Sequence, residues 1–207
     1  MQNTSTGSLG GFQRARRLAL AILLVIVFAV FLFGQSMFPP EGPAHELIET
    51  IGIVLIVLGI AGRLWCTLYI GGRKASSVVA DGPYSICRNP LYLFSSIAAI
   101  GVGAQMGSIT VALGFGLACA AAFHIVILRE EKYLLERHPS YRAYMDKVPR
   151  FFPNPTLYRD GDTSTFKPAL LRTTLLDGLV FLLAMPVFEM IDSAQTSGVL
   201  PVLFKLP

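Results

Sequence analysis

The chain has 207 residues, of which 53% are hydrophobic and only 14% charged, and its mean hydropathy is +0.59. So apolar and charge-poor a composition excludes a soluble domain of this length and places the chain in a membrane. The net charge of +4 does not argue for nucleic acid, because the basic residues gather on one side of the apolar runs, as membrane topology requires.

Residues 1 to 13 are polar and rich in Gly, Ser and Thr, which predicts disorder. Arg14, Arg16 and Arg17 then precede an apolar run, and no small-residue cleavage pattern follows before Met37-Phe38-Pro39-Pro40. Residues 18–34 are therefore expected to be a first span with its amino end in the cytoplasm. The connection to the next run carries Glu41 and Glu46 without Lys or Arg, as expected outside. Residues 47–70 form the second expected span, long enough to cross about 30 Å of hydrocarbon. It contains Arg63, which either reaches the inner headgroups or faces a polar cavity.

Gly71 to Asn89 reads as a cytoplasmic connection, with turn signals at Gly82-Pro83 and Asn89-Pro90. Residues 90–106 and 109–129, joined at Gly107-Ser108, predict a helical hairpin. Gly101, Gly103, Gly114, Gly116, Ala118 and Ala120 to Ala122 let backbones approach closely, so both arms are expected inside the bundle. Helical character continues past the second arm through Glu130, Glu131 and Arg137, and Pro139 stops it near His138. Ser140 is a candidate cap for a short amphipathic helix, Tyr141 to Lys147. Residues 130–167 then serve as a small helical cover. A last span over 170–191 is interrupted by Pro186. The fold expected is all-α, a single membrane-embedded domain over residues 1–207 with about five transmembrane helices.

Cys66, Cys87 and Cys119, and likewise His45, His124 and His138, are scattered along the chain. Neither set fits a disulfide or metal-ligand spacing, so the cysteines are expected to be reduced packing residues and no metal is expected. No nucleotide-binding glycine loop follows a strand. What does stand out is Arg88, set on irregular backbone before an apolar helix, and the adjacent carboxylates Glu130 and Glu131 where another helix leaves the bilayer. Charges in such places commonly serve as headgroup anchors. Gathered at one membrane face with Tyr92, Tyr141 and Tyr144, they also suit a zwitterionic ligand, an arginine for its carboxylate and a glutamate for its cationic end.

Two stretches carry a resemblance: GPYSICRNPLY, Gly82 to Tyr92, and REEKYLLERHPSYRAYMDKVPRFFP, Arg129 to Pro153. In order and at this spacing they resemble the paired signature of the integral-membrane methyltransferases that include isoprenylcysteine carboxyl methyltransferase and the phospholipid N-methyltransferases. The likeness covers about half of the chain. Where the family usually reads Arg-His-Pro this chain has Arg88-Asn89-Pro90, and where it usually has Phe-Gly this chain has His138-Pro139.

The resemblance implies S-adenosylmethionine as cofactor, in a pocket facing the cytoplasm and reached by an amphiphilic substrate from the lipid. It implies a cofactor site of Tyr84, Arg88, Asn89, Pro90, Tyr92, Glu130 and Glu131, with Tyr144 and Arg150 of the cover as candidate catalytic residues. Arg88 is expected on the methionine carboxylate, Glu130 or Glu131 on the amino group, and Arg150 on the head of an anionic substrate or on lipid headgroups. The acceptor stays open between an isoprenylcysteine-like carboxylate, a lipid amine and similar groups. The expected partners are that lipophilic substrate and membrane lipids, without nucleic acid, in a multi-pass protein of a prokaryotic inner membrane. Two alternatives stand beside this. One is an NADPH-dependent reductase of sterols or related lipids, though Leu134 and Leu135 occupy the place where those enzymes tend to have cysteine. The other is a non-catalytic lipid-binding protein.

Overall fold

The computed structural model describes residues 29–71, 78–161 and 166–207. The expected disorder of 1–13 and all but the end of the expected first span lie outside these residues; 29–33 are helical. The helices that follow are α1 (Pro43–Ile70), α2 (Pro83–Ile86), α3 (Pro90–Ala104), α4 (Ile109–Arg137), α5 (Tyr141–Lys147), α6 (Pro168–Leu179) and α7 (Ala184–Thr196). Among the described residues, three helical stretches are long and apolar enough to cross a membrane: Pro43–Ile70, Ile109–Arg137 and Pro168–Thr196, of 28, 29 and 29 residues. α3 is apolar too but shorter.

Proline at the first turn starts α1, α2, α3 and α6, because that position needs no amide hydrogen and its fixed φ is already helical. α4 starts instead at Ser108, whose hydroxyl accepts from the Val111 amide at 3.3 Å. It continues to Arg137, with His138 at its end, as the sequence predicts. α5 also lies where expected, but Ser140 is helical in its own backbone and caps nothing with its side chain.

α3 is the interior helix, lying between α1 and α4. Along the α1 seam the chains touch through small residues. A Cβ on Gly59 would sit 2.6 Å from the Ala98 methyl, and one on Gly101 would sit 2.5 Å from the Gly52 carbonyl. In lipid such close approach is what holds helices together. The expectation that both hairpin arms are interior holds for α3 and fails for α4. Gly116 and Ala112 do face α3, but Gly114, Ala118, Ala121 and Ala122 are exposed, and nothing lies within 4 Å of a Cβ on Gly114. Among the described residues, α4 brings only Ala112 and Gly116 of its small residues against α3, whereas α1 places Gly52, Gly59 and Gly62 there.

The last span also differs from expectation. The break comes before Pro186, as a 3-10 turn over Val180–Leu183, and the helical path runs from Pro168 to Thr196. Proline has no N–H for the carbonyl four residues back and its ring crowds that carbonyl, so the preceding turn tightens. Arg63 faces the bundle: its guanidinium donates to Ser95 Oγ on α3 and lies 5.8 Å from the Phe181 ring. A feature the sequence did not suggest is a pair of three-residue parallel strands, β1 (Gly34–Ser36) and β2 (Phe204–Leu206), which ties the end of the chain beneath the α3–α4 turn.

Gly59→Ala is expected to lower the unfolding temperature in detergent, by overpacking worth about 1–3 kcal/mol. Gly114→Ala should raise it, by about 0.5–1 kcal/mol, because the site is open and helical. Equal effects at the two positions would contradict the assignment of α3, not α4, as the packed seam of α1.

Candidate functional site

The site is built where the chain leaves α1 and re-enters the bundle at α3. Gly82 adopts φ +56°, and a Cβ there would lie 2.4 Å from the Tyr69 ring, so only glycine lets α2 start tight against the end of α1. After α2 the backbone turns extended at Cys87, and Pro90 begins α3. Arg88 and Asn89 therefore sit on non-helical backbone at the helix mouth.

The cover is stitched to this loop. The Arg88 amide donates to the Pro149 carbonyl at 2.9 Å, and the Asn154 amide to that of Ile86 at 2.9 Å. Asn89 Nδ2 donates to the Arg150 carbonyl at 3.1 Å, and the Tyr144 hydroxyl to the Tyr84 carbonyl at 2.7 Å. The Cys87 thiol donates to the Phe151 carbonyl at 3.3 Å. Residues 149–154 thus run alongside the loop as a strap, and α5 lies over it with Tyr141 and Tyr144 buried.

At the centre is Glu131, from α4, with a side chain 5% exposed. Its Oε2 accepts from Arg150 Nε at 3.0 Å and lies 2.9 Å from an Arg150 terminal nitrogen. Its Oε1 accepts from Asn89 Nδ2 at 3.4 Å and lies 3.5 Å from Arg88 Nε. A buried carboxylate is tolerable only when its charge is balanced this fully. Arg88 is less well satisfied. Its side chain is 8% exposed, its Nε makes no hydrogen bond among the described residues, and its other contact, to the Met145 carbonyl, is 3.5 Å long.

Arg88, Asn89, Glu130 and Glu131 line a cavity with about 920 Å³ of empty space, part of it open to solvent. Tyr84, Tyr92, Tyr141 and Tyr144 share its wall, with aliphatic cover from Ile70, Leu91 and Leu134. Burial pushes the Tyr84 and Tyr144 phenols well above their ordinary range. Burial, then the Glu131 charge, raises Tyr141 to about 12. Burial also pushes the Cys87 thiol up to about 11, against smaller opposing pulls from the Asn89 backbone and then from Arg88. These groups are thus protonated near neutral pH, so the tyrosines can wall the cavity and donate hydrogen bonds, and the Cys87 thiol donates to the strap.

Of the residues singled out in the sequence, Tyr84, Arg88, Asn89, Tyr92, Glu130, Glu131 and Tyr144 line this one cavity. Pro90 is buried behind it as the first residue of α3. Arg150 is not on the wall; it stands behind Glu131, with its side chain 37% exposed. The Glu131–Arg150 pair went unread because its partners are 19 residues apart across a helix end and a turn. Tyr133 and Leu134 were also missed as wall residues, though both fall three or four positions beyond Glu130 on the same helix face.

A family model described as phospholipid methyltransferase matches residues 48–140. That window contains Arg88, Asn89, Glu130 and Glu131 and ends before Tyr144 and Arg150. The chain is 35% identical over 179 residues to the cobalt-zinc-cadmium resistance protein CzcN of Cupriavidus metallidurans, covering 86% of this chain and 82% of that one. It is 32% identical over 186 residues to the nickel-cobalt-cadmium resistance protein NccN of Alcaligenes xylosoxydans xylosoxydans, covering 90% and 87%. No solved structure matches the chain. The chain belongs to the phospholipid methyltransferase family, within the group of integral-membrane isoprenylcysteine and phospholipid methyltransferases.

Proposed function

We propose that this chain transfers a methyl group from S-adenosylmethionine to a lipophilic or amphiphilic acceptor at a membrane face. The observation that carries the reading is Arg88. A guanidinium buried at a cavity wall, whose Nε makes no hydrogen bond and whose contacts are long among the described residues, is a site for an anion, and Glu130 stands on the same wall. An amino-acid end offers that pair of charges at one carbon, a carboxylate for Arg88 and an ammonium for Glu130. Glu131, held by Arg150 and Asn89, serves to fix Arg88 and is not the ammonium ligand.

When bound, the cofactor supplies a methyl group on a sulfonium. Because positive charge disperses as that group moves, the protein's task is alignment and exclusion of water, and no strong base is needed for an ionised acceptor. Arg88 and Glu130 fix one end. The tyrosines enclose the remainder, and Tyr144 does so while tying the cover to the motif. The acceptor's apolar part enters from the lipid, where α4 is exposed. Its reacting group is an isoprenylcysteine-like carboxylate, a lipid amine or a similar nucleophile.

The names of the two resistance proteins add an expectation about the setting, that methylation by this chain supports tolerance of transition metals. Cells lacking it should be more sensitive to cobalt and cadmium, and wild type but not Arg88→Ala should restore tolerance.

Calorimetry on the full chain in lipid nanodiscs tests the site. Saturable S-adenosylhomocysteine binding is expected, weakened about 10- to 100-fold in Arg88→Ala and in Glu130→Gln with unfolding temperatures retained. Saturable NADPH binding without S-adenosylhomocysteine binding, or unchanged affinity in a folded Arg88→Ala, would overturn the proposal. Glu131→Gln should behave differently, losing affinity and also about 3–5 kcal/mol of stability, because two guanidinium groups lose their shared counter-charge.

A further inference from the structure

We infer that His45, Glu49 and Asp192 form a binding site for a divalent transition-metal cation at the end of the bundle opposite the candidate cofactor cavity. The scatter of the histidines along the chain hides it, because the third member comes from the far end of the sequence. His45 and Glu49 are one turn apart on α1, and α7 brings Asp192 beside them. His45 Nε2 lies 3.2 Å from Glu49 Oε1 and 3.9 Å from Asp192 Oδ2, and the three ligand atoms all fall within 4.8 Å of one another. A tetrahedral ion with bonds of about 2.0–2.1 Å needs ligand atoms roughly 3.3 Å apart, so small side-chain movements close this set on one ion.

The surroundings are built to hold the ring in place. The His45 imidazole is buried, and Gly107, at φ +64°, packs its backbone against it: a Cβ there would lie 2.2 Å from Nδ1. Ser36 Oγ donates to the Gly107 carbonyl at 2.7 Å and fixes that turn, while Gln105 Nε2 donates to the Glu49 carbonyl at 3.0 Å.

Charge favours a metal over a simple ion pair. Two partly exposed carboxylates converge on one buried imidazole, and a cation between them would offset their charge. An imidazolium would do so only by leaving a charged Nδ1–H buried without an acceptor among the described residues, a costlier defect than the same atom in a neutral ring. A cation bound by neutral Nε2 and both carboxylates balances the charge completely. One imidazole with two carboxylates suits ions of the zinc, cobalt or manganese kind. Ile70, on the cavity wall, is 25 residues from His45 along α1, or about 37 Å. The two sites are thus separate, and neither supplies a residue to the other.

Cobalt(II) titration of the full chain in detergent, after dialysis against a chelator, is the test, read by visible absorption and by bound metal per chain. One cobalt per chain is expected, displaced by zinc. Glu49→Gln and Asp192→Asn, which are close in shape and partly exposed, should each weaken binding at least about tenfold. Glu46→Gln, an exposed neighbour, should not. X-ray absorption of the cobalt-loaded wild type, which needs no variant, should show one imidazole nitrogen among oxygen ligands. Absence of stoichiometric binding, an all-oxygen shell, or equal affinity in wild type and both ligand variants would each overturn the inference.

Discussion

The described part of this molecule turns on one buried carboxylate. Glu131 reaches from the end of α4 to meet Arg150 of the strap, Asn89 of the motif loop and, at longer range, Arg88. Three segments distant in sequence are thereby held to one point. Remove that charge and the Arg88 and Arg150 guanidinium groups lose the carboxylate between them; remove either arginine and the carboxylate is left short of a partner.

The geometry around it divides labour in a way that charge alone does not reveal. Glu130 and Glu131 are adjacent, and a helix turns by about 100° per residue, so they reach the cavity wall from different directions. Glu131 is tied to the strap through Arg150. Glu130 shares the wall with Arg88, so the cavity carries a cation and a second carboxylate outside that pair. The hydrogen bonds between strap and loop give the same result from the other side: cover and motif share backbone partners, so the cavity roof is part of the fold.

Much of this was legible in the sequence because the signals are local. Gly82-Pro83 and Asn89-Pro90 mark where the backbone leaves regular structure, and proline at the first turn marks where helices resume. The continuation of α4 past the apolar run, and its end before Pro139, follow from helical spacing. What could not be read depends on partners that spacing does not name. Glycines in α4 looked like a packing face as much as those in α3, and only the neighbours of each decide. The β1–β2 pair joins segments some 170 residues apart through backbone atoms, which carry no side-chain pattern. Asp192 had no visible reason to lie beside His45, since the two are 147 residues apart and the helical path that carries Asp192 passes through a 3-10 turn.

The central claim is that the cavity between the motif loop and α4 receives an amino-acid cofactor by its two charges. A density map of the purified chain with S-adenosylhomocysteine tests this most directly. The account predicts ligand density in that cavity, with the carboxylate against Arg88, the ammonium against Glu130, and the Glu131–Arg150 pair intact behind them. Ligand bound elsewhere, or bound here with its amino-acid end turned away from Arg88, would contradict it.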